Sequence, residues 1–390
     1  MTNSPPPSSN PGSGDVPPVM PGSGVAPPTP QTPQTPRDAV PAAAPSPTQP
    51  AAPAMPPASP PVASAPVTAP TAQPQISNSA MVDAIRTEVA KVVVGQQGVL
   101  AGFLAALLAD GHVLLEGVPG VAKTLLVKTV ASTLSIDMNR IQFTPDLMPS
   151  DITGQLMYEQ ASGEFTFREG PIFTNLLLAD EINRTPPKTQ AALLEVMEER
   201  QATVAGVARE LPDPFMVIAT QNPVEYDGTY PLPEAQLDRF LAKIYVGYPE
   251  RNSEQEVLAR HHTGLSLHEV AANGVQAVAS AADLAAARLA VRNVQVEDAI
   301  LGYITDIVRA TRSSPVVDLG VSPRGGVALL GLSKAWAWMS GRSFVTPDDV
   351  KMIAKPGLRH RLQVQPEAEL EGVTPDIVLD GLLESVPVPR

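Results

Sequence analysis

Three short apolar runs lie between residues 112 and 223, and each ends abruptly in polar residues. They occur within HVLLEG, NLLLADE and FMVIATQNP, which begin at His112, Asn175 and Phe215. A continuous apolar run of this length is typical of a strand that is buried on both faces of a parallel sheet. A segment with helical character follows the first run after a glycine-containing loop. The pattern therefore predicts the strand–loop–helix units of an α/β domain.

Two other segments alternate apolar and polar positions around a short turn. Residues 152–173 place Tyr158 before a serine–glycine turn and Phe165 after it, and residues 201–212 turn at an alanine–glycine pair. Alternation on both sides of a turn predicts a β-hairpin in each segment. The aromatic side chains of the first hairpin either contact a partner or pack one face on the core, and the pattern leaves both possibilities open.

The chain becomes helical in pattern from Pro249 onward. Ser322 and Thr346 are each followed by proline, which is the arrangement of a helix cap and a first helical residue. We therefore predict an α/β domain at residues 79–249 and a helical domain at residues 250–390. Apolar residues recur at spacings of three and four in the segments 253–262, 282–294, 296–311 and 323–340.

The composition of the first 80 residues differs from that of the rest. They hold 24 of the 44 prolines and only three charged side chains, so they cannot bury enough apolar surface to offset chain entropy. We predict that residues 1–78 form a disordered tail, partly of polyproline type. A signal peptide is not expected, because the tail has neither a basic start nor an apolar centre.

The charge balance restricts the classes of partner. The formal net charge is −13, and one arginine against two aspartates in the tail leaves −12 on the remainder, which opposes binding to duplex DNA. Protein is the expected partner instead. The chain has no cysteine, which excludes disulfides and thiolate metal sites and suits a cytoplasmic protein. We expect no membrane span, because no apolar run approaches about 18 residues.

The loop after the first apolar run has the composition of a phosphate-binding loop. In such loops backbone N–H groups and a helix N-terminus bind phosphates, while a lysine reaches the terminal phosphates and a hydroxyl ligates Mg²⁺. Here Lys123 and Thr124 would take those two roles, with ATP and Mg²⁺ as the ligands. Ala122 replaces the usual glycine, and we expect it to adopt helical backbone angles. The predicted loop consists of Gly117, Val118, Pro119, Gly120, Val121, Ala122, Lys123 and Thr124.

Polar residues at the ends of the second and third runs complete a predicted hydrolytic site. Asp180 would bind the metal through its water shell, and Glu181 would polarise an attacking water as general base. After the third run, Asn222 or Thr220 would orient that water. An acidic pair at a strand end is common by itself, but its position after a phosphate loop favours the hydrolytic interpretation.

Two arginines further along the chain are candidates for stabilising charge on the phosphates. Arg239 follows a short predicted helix and would act on the site of a neighbouring subunit. The alternative role of Arg239 is a surface salt bridge to Glu234 or Asp238. Arg324 stands in the first turn of the helix capped by Ser322, from which it could reach back to the phosphates.

Taken together, these residues resemble those of AAA+ ATPases. Three strings that begin at Arg140, Leu177 and Ala219 resemble the MoxR family within that superfamily: RIQFTPDLMPSDITG, LLADEINRTPPKTQAALLEVMEER and ATQNPVEYDGTYPLPEAQLDRF. The resemblance covers about residues 82–385 and leaves out the tail. It implies an α/β AAA+ core, with a parallel sheet flanked by helices, followed by an α-helical lid domain.

The resemblance also implies roles for particular residues. Residues 117–124 would form the phosphate loop, with Asp180 as the metal residue and Glu181 as the base. Val94 and Gly95, with the following glutamine, resemble the segment whose backbone meets adenine. The remaining roles are a first sensor, an arginine acting in trans and a second sensor, which fall on Asn222, Arg239 and Arg324.

At the level of function, the resemblance implies a ring, commonly a hexamer, that hydrolyses ATP to remodel or mature a protein. It suggests a client that carries a von Willebrand factor A-like domain, with metal-cofactor or complex assembly as the outcome. Three alternatives stay open: a DNA-directed AAA+ protein, a metal-chelatase motor subunit, and a nucleotide-gated scaffold with little turnover. The acidic charge opposes the first of these.

Overall fold

A computed structural model describes residues 78–222, 229–264 and 270–389. The predicted tail, apart from Asn78, where the first helix begins, lies outside the described residues. The described residues belong to one compact unit. The predicted domain division at residue 249 stays a prediction, because the residues on both sides of it share that unit.

The secondary structure alternates strands and helices up to Tyr245 and is mainly helical beyond it. The helices are α1 Asn78–Ala90, α2 Gln97–Leu108, α3 Lys123–Thr133, α4 Pro149–Thr153, α5 Pro187–Glu199, α6 Glu234–Leu237, α7 Arg251–His262, α8 Ala281–Arg292, α9 Asp298–Ser313, α10 Pro323–Met339, α11 Pro347–Leu358, α12 Pro366–Leu370 and α13 Pro375–Ser385. The strands are β1 Val113–Glu116, β2 Met138–Gln142, β3 Gly154–Glu159, β4 Glu164–Glu169, β5 Leu176–Asp180, β6 Gln201–Val204, β7 Val207–Glu210, β8 Met216–Gln221, β9 Ala242–Tyr245, β10 Val317–Leu319 and β11 Gln363–Val364. Short 3₁₀ turns occur at Ile182–Arg184 and Ala271–Asn273.

Five strands form one parallel sheet in the order β2-β5-β8-β1-β9. The three apolar runs are its three inner strands, β1, β5 and β8, so the predicted α/β fold is confirmed. Their carboxyl ends meet at one edge, where Asp180 is paired in register with Gln142 and Glu116 with Gln221. Loops at this edge of a parallel sheet commonly form ligand sites.

The sheet is buried on both faces, which explains why its strands are continuously apolar. Val113 and Leu115 of β1 belong to one apolar cluster, which extends to α2, α3 and the later helices. Leu114 points to the opposite face and joins a second cluster formed with α5 and the residues around Phe143. The site at the strand ends therefore rests on a base that is packed from both sides.

Both predicted hairpins are confirmed. Strands β3 and β4 pair antiparallel with Tyr158 opposite Phe165, and β6 pairs with β7 across a turn whose two central residues have positive φ, a geometry that suits two-residue hairpin loops. Near the base of the first hairpin, the Phe167 ring packs edge-on against Phe173 at 5.7 Å. Near its tip, Tyr158 and Phe165 are 56% and 68% exposed. Core packing therefore accounts for the base of the hairpin but leaves the tip in solvent.

The helical pattern of the last third of the chain is confirmed in α7 to α11. The Ser322 hydroxyl accepts the Gly325 N–H at the start of α10, and Thr346 forms a capping box with Asp349 at the start of α11. Helix α10 packs between α11, α9, α8 and α2 and so connects the helical part to the sheet. None of the helices in the described ranges has both the length and the apolar character needed to cross a membrane.

Candidate active site

A cavity of about 880 Å³ lies between the 117–124 loop, the carboxyl ends of β5 and β8, and helix α7. Residues 119–124 of the predicted loop line this cavity together with Asp180, Glu181 and Asn222. The local motifs that the sequence predicted on separate segments are therefore brought to one place. The parallel sheet causes this, because it ends its three inner strands at the same edge.

Close packing and open space alternate along the 117–124 loop. A Cβ at Gly117 would lie 2.3 Å from the Val246 carbonyl oxygen, so only glycine fits at the strand end. Gly120 has φ +84°, and apart from Gly120 and its two chain neighbours no described atom lies within 4 Å of the position its Cβ would take. Val121 is buried beneath the loop, and Val118 packs against the core at its edge. The loop is thus anchored at both sides of an open bend.

Ala122 differs from the sequence prediction. It has φ +63° and ψ +23°, which is left-handed and not helical, and it directly precedes α3. A left-handed alanine costs about 1–2 kcal/mol relative to the right-handed conformation, so the usual glycine would relieve strain here. Because Ala122 carries only a methyl group, it cannot cap α3. The first N–H groups of that helix are therefore available to an anionic ligand in the cavity.

Lys123 is the first residue of α3 and is half-buried. Its Nζ donates a hydrogen bond of 2.6 Å to the Gly117 carbonyl oxygen and so closes the loop on itself. Burial lowers the pKa of Lys123, and the nearby carboxylates of Asp180, Glu181 and Glu116 partly oppose that shift. Desolvation of a cation is offset when it meets a phosphate, which fits a lysine that binds the terminal phosphates.

The donor set around Thr124 fits Mg²⁺ bound together with a nucleotide. Thr124 and Asp180 both line the cavity and would offer one hydroxyl and one carboxylate. Within residues 78–222, 229–264 and 270–389, no group of three or more His, Asp or Glu side chains has metal-binding geometry. Mg²⁺ in nucleotide sites takes few protein ligands and completes its shell with phosphates and water, so a small donor set is appropriate.

Both carboxylate oxygens of Asp180 already have partners. Thr220 donates its hydroxyl to Oδ1 at 2.5 Å, and Arg140 approaches Oδ2 with Nε at 3.2 Å and Nη2 at 2.7 Å. Arg140, which lies on β2 at the edge of the sheet, was not predicted as a site residue. Its signal was weak: a cation within MNRIQ, the most polar of the sheet strands.

Two side chains bind the Glu181 carboxylate where it lines the cavity. Its Oε2 accepts hydrogen bonds from Gln142 at 2.7 Å and from Arg184 at 3.0 Å, and its backbone N–H donates to Thr220 at 2.9 Å. The residue has φ +57°, a strained conformation for a side chain of this kind. Gln142 was also missed by the sequence analysis, because the strand that places it beside Glu181 lies 39 residues earlier.

The two candidates for orienting water occupy different positions. Thr220 is buried, and its hydroxyl is engaged by Asp180 and by the Glu181 backbone. Asn222 is 6% exposed and lines the cavity. The geometry therefore makes Thr220 a support for the acidic pair, while Asn222 lines the cavity and stays the predicted residue for orienting water.

The opposite end of the cavity is apolar. Val94 lines it, while Gly95 lies just behind it with φ +76°, where a Cβ would lie 2.8 Å from the Ser253 Cβ. Gln96 donates to the Gly247 carbonyl oxygen at 3.0 Å and joins this segment to the chain before α7. A flat apolar base would fit this end. The other apolar side chains there are Val92, Val93, Tyr248, Val257 and Leu258.

Arg239 and Arg324 lie outside this cavity and line a second one of about 420 Å³. Arg239 donates to the Leu194 carbonyl oxygen at 2.6 Å and pairs with Glu198 at 3.1 Å, so its ion-pair partner is neither of the two acids proposed from sequence. Arg324 is half-exposed and lies 3.6 Å from Glu198. Helix α10 places Arg324 beside Arg239 and outside the cavity of the phosphate loop, and its role as a nucleotide sensor stays a prediction.

A loop that joins a buried strand to a helix, beside an Asp–Glu pair on the neighbouring strand, defines a P-loop ATPase domain of the AAA+ class. Two family models match the chain accordingly. One describes the ATPase family associated with various cellular activities and covers residues 112–242; the other describes the AAA lid domain and covers residues 309–381.

Similar proteins narrow the class to one family. The chain is 48% identical to the uncharacterized protein YeaC of Bacillus subtilis, across 77% of this chain and 92% of that protein. It is 42% identical to Chaperone MoxR1 of Mycobacterium tuberculosis, across 78% and 81% of the two chains. A solved structure of an ATPase candidate from Cytophaga hutchinsonii is 40% identical, with a TM-score of 0.74 over 80% of this chain and 96% of that one. The chain belongs to the MoxR family of AAA+ ATPases.

Proposed function

We propose that this protein is a ring-forming, Mg²⁺-dependent ATPase that remodels or matures a protein partner. One observation carries the proposal. The phosphate loop and the acidic pair share one cavity, whereas the two candidate arginines share a different surface of the same chain. The predicted nucleotide site and the two arginines thus lie on different surfaces of one chain. This separation suits hydrolysis at a subunit contact, where one subunit binds ATP and the next supplies the arginines.

Within one subunit, Lys123 and the N-terminus of α3 would bind the phosphates of ATP. Thr124 and Asp180 would hold Mg²⁺, which neutralises phosphate charge and orients the phosphates when bound. Glu181 would take a proton from the attacking water, and Asn222 would orient that water. Gln142 and Arg184 both bind Oε2 of Glu181, so they would orient the carboxylate while Oε1 acts as the base.

The neighbouring subunit would supply the remaining positive charge. Arg239 is 30% exposed and Arg324 is 51% exposed, and both are close to Glu198. We propose that both arginines face the nucleotide of the next subunit and stabilise the charge that develops on the transferred phosphoryl group. An arginine of this kind contributes about 10³-fold or more to the rate. Arg324 would thus sense the nucleotide that is bound by the neighbouring subunit, and not the nucleotide bound by its own subunit.

The client is proposed to contact the exposed hairpin of β3 and β4. Its tip presents Tyr158 and Phe165 in solvent, and β3 exposes Leu156 and Met157 as well. MoxR1, a relative of this chain, is named a chaperone, which supports a remodelling role. A hexameric ring in the cytoplasm and a client with a von Willebrand factor A-like domain are part of the proposal. So is metal-cofactor or complex assembly as its outcome.

The first experiment measures Mg²⁺-dependent ATP hydrolysis as a function of protein concentration. We expect specific activity to rise with concentration, Glu181→Gln to abolish it and Arg239→Ala to lower it about 10³-fold, while both variants still bind ATP. Arg309→Ala, which removes an exposed arginine on α9, is the matched control and should keep the activity of the wild type. Excess Arg239→Ala subunits should also inhibit the wild type in mixed assemblies.

Other outcomes select the alternatives. Activity that is independent of concentration and of Arg239 would exclude the trans arginine. Binding of ATP without turnover would favour the nucleotide-gated scaffold. Co-purification with a large tetrapyrrole-binding subunit, rather than with a von Willebrand factor A-like protein, would favour the chelatase motor. Retention on DNA with a steep salt dependence would favour the DNA-directed protein.

A further inference from the structure

One carboxylate lies between the two arginines that face away from the cavity. Glu198, near the end of α5, is 3.1 Å from Arg239 and 3.6 Å from Arg324. These three side chains come from different parts of the chain: α5, the segment after α6, and the first turn of α10. Two guanidinium groups repel each other, and a shared carboxylate offsets that repulsion. Asp238 also approaches Arg324, at 4.0 Å from its Nε, but Glu198 is the carboxylate that both arginines share on this surface.

Helix α5 also sets the direction of Arg239 through a second acceptor. The Leu194 carbonyl oxygen, one turn before Glu198, accepts from Nη1 of Arg239 at 2.6 Å, while Glu198 binds Nη2. A planar guanidinium that is bound at two nitrogens has a defined orientation, which a single flexible contact would not give. The remaining donors of Arg239 stay accessible, because its side chain is 30% exposed.

Stability alone does not account for this arrangement. Ion pairs between exposed side chains contribute only about 0–1 kcal/mol to folding, and Glu198 is 43% exposed. The arrangement instead fixes where the guanidinium groups of Arg239 and Arg324 lie. Helix α5 begins at Pro187, shortly after Glu181, so one helix runs from the acidic pair of a subunit to the arginines that the same subunit offers to its neighbour.

We infer that Glu198 is a positioning residue for hydrolysis at the neighbouring subunit. It orients Arg239 and Arg324 toward the neighbour's phosphates, and it does not touch the nucleotide bound by its own subunit. This inference rests on the proposed function, since it requires both arginines to act in trans. Its consequence is that the loss of Glu198 impairs a subunit as a donor of arginines and leaves it intact as a binder of ATP.

The first test is a double-mutant cycle on ATP hydrolysis. Glu198→Gln preserves size and removes the charge, so kcat should fall about tenfold, while KM and the affinity for ATP stay within about twofold. In the residual activity of Arg239→Ala, the same substitution should cause no further loss. Glu199→Gln, which changes the exposed neighbouring acid on α5, is the matched control and should keep wild-type kcat.

The second test separates donor from acceptor in mixed assemblies. Glu181→Gln subunits cannot hydrolyse ATP but can donate Arg239, whereas Arg239→Ala subunits have the reverse defect, so their mixture should regain activity. Adding Glu198→Gln to the Glu181→Gln donor should reduce the regained activity about tenfold. Adding it to the Arg239→Ala acceptor should leave the regained activity unchanged.

Three results would contradict the inference. Equal losses on the donor and acceptor sides would make Glu198 a structural residue of α5. A gain of activity in Glu198→Gln would show that it restrains the arginines rather than positions them. A mixture of Glu181→Gln and Arg239→Ala that regains no activity would refute the trans arrangement and both proposals, whereas a working mixture that ignores Glu198→Gln refutes this inference alone.

Discussion

At the scale of single residues, the phosphate loop contains a strained alanine where a glycine would be relaxed. Ala122 has φ +63° immediately before α3, and Gly120 at the bend has φ +84°. The methyl group of Ala122 restricts the unfolded chain slightly, but its cost in the left-handed region is larger. The loop therefore keeps its shape because α3 and the buried Val121 hold it, and not because its residues favour it.

We predict that Ala122→Gly stabilises the protein by about 0.5–1 kcal/mol, because glycine adopts positive φ without a steric penalty. The measurement is the free energy of unfolding in urea. Ala285→Gly, at an exposed position inside α8, is the control and should destabilise by about 1 kcal/mol. If both substitutions destabilise equally, the left-handed conformation of Ala122 is wrong.

A second prediction concerns Arg140, which occupies Oδ2 of Asp180 at 2.7 Å. Mg²⁺ bound through Asp180 would require one of its carboxylate oxygens, which Arg140 and Thr220 occupy, so Arg140 would compete with the metal. We expect Arg140→Gln to lower the Mg²⁺ concentration that half-saturates ATP binding by about two- to fivefold, which is the range for a partly exposed ion pair. The readout is the binding of a fluorescent ATP analogue at increasing Mg²⁺.

Arg168→Gln, an exposed arginine on β4, serves as the control for the removal of one positive charge. It should leave the Mg²⁺ requirement unchanged. A higher Mg²⁺ requirement in Arg140→Gln, or weaker ATP binding at saturating Mg²⁺, would mean that Arg140 binds phosphate in the loaded site instead of competing with the metal.

At the scale of elements, the end of α11 fastens the segment that carries Arg239. Arg361 is 3% exposed; its Nε donates to Asp238 Oδ1 at 2.5 Å, and its Nη2 donates to the Phe240 carbonyl oxygen at 2.8 Å. His360 donates from Nε2 to the same carbonyl oxygen at 2.9 Å. Residues of the helical part therefore fix the chain on both sides of Arg239. The backbone position of that arginine therefore depends on packing against the lid, and not only on the short helix α6 that precedes it.

We predict that Arg361→Met destabilises the protein by about 3 kcal/mol, since it removes the buried partner of the Asp238 carboxylate and of four backbone carbonyl groups. Unfolding in urea measures the loss. The control is Lys355→Met, which removes an exposed ion pair to Asp380 and should cost less than about 1 kcal/mol. Similar losses for the two variants would show that the contacts of Arg361 are no more than surface contacts.

At the scale of the whole molecule, stability should depend on pH through buried histidines. His112 lies under the sheet, where its Nε2 donates to the Met197 carbonyl oxygen at 3.0 Å and its Nδ1 accepts the Val217 N–H at 2.9 Å. Both nitrogens are thus used by the neutral ring. Burial, and then the charge of Arg200, lower the pKa of His112 to about 4. Burial, and then Arg361, also lower the pKa of His360 well below its usual value.

The unfolded chain therefore binds more protons than the folded one between about pH 6.5 and 4, so the free energy of unfolding rises with pH in that window. We predict that lowering the pH from about 7 to 4 removes on the order of 3 kcal/mol through His112 alone. Urea titrations at several pH values measure the slope. His112→Gln keeps a hydrogen-bond donor and an acceptor, and it should reduce the slope of the free energy of unfolding against pH. An unchanged slope would contradict the assignment of this pH dependence to His112.

The local motifs could be predicted from the sequence because each depends on a few adjacent residues. Lys123 follows its loop directly, and Asp180 and Glu181 end an apolar run, so strand, loop and acid could be placed without knowing the fold. The contacts of Arg140 and Gln142 with the acidic pair could not be predicted in this way. They reach the acidic pair only because β2 lies beside β5, a pairing between strands 30 residues or more apart in the chain.

The sequence by itself determined the elements and the chemistry within each: buried strands, two hairpins, capped helices and a phosphate loop with its lysine, hydroxyl and carboxylates. Short-range periodicity and turn residues are enough for that, because they act over a few residues. Only the tertiary structure decided which distant groups share a surface. It turned Ala122 left-handed before α3, paired Arg140 with Asp180 through the contact of β2 with β5, and set Arg324 beside Arg239 through the packing of α10. Contacts between distant segments fix these arrangements, which no local pattern encodes.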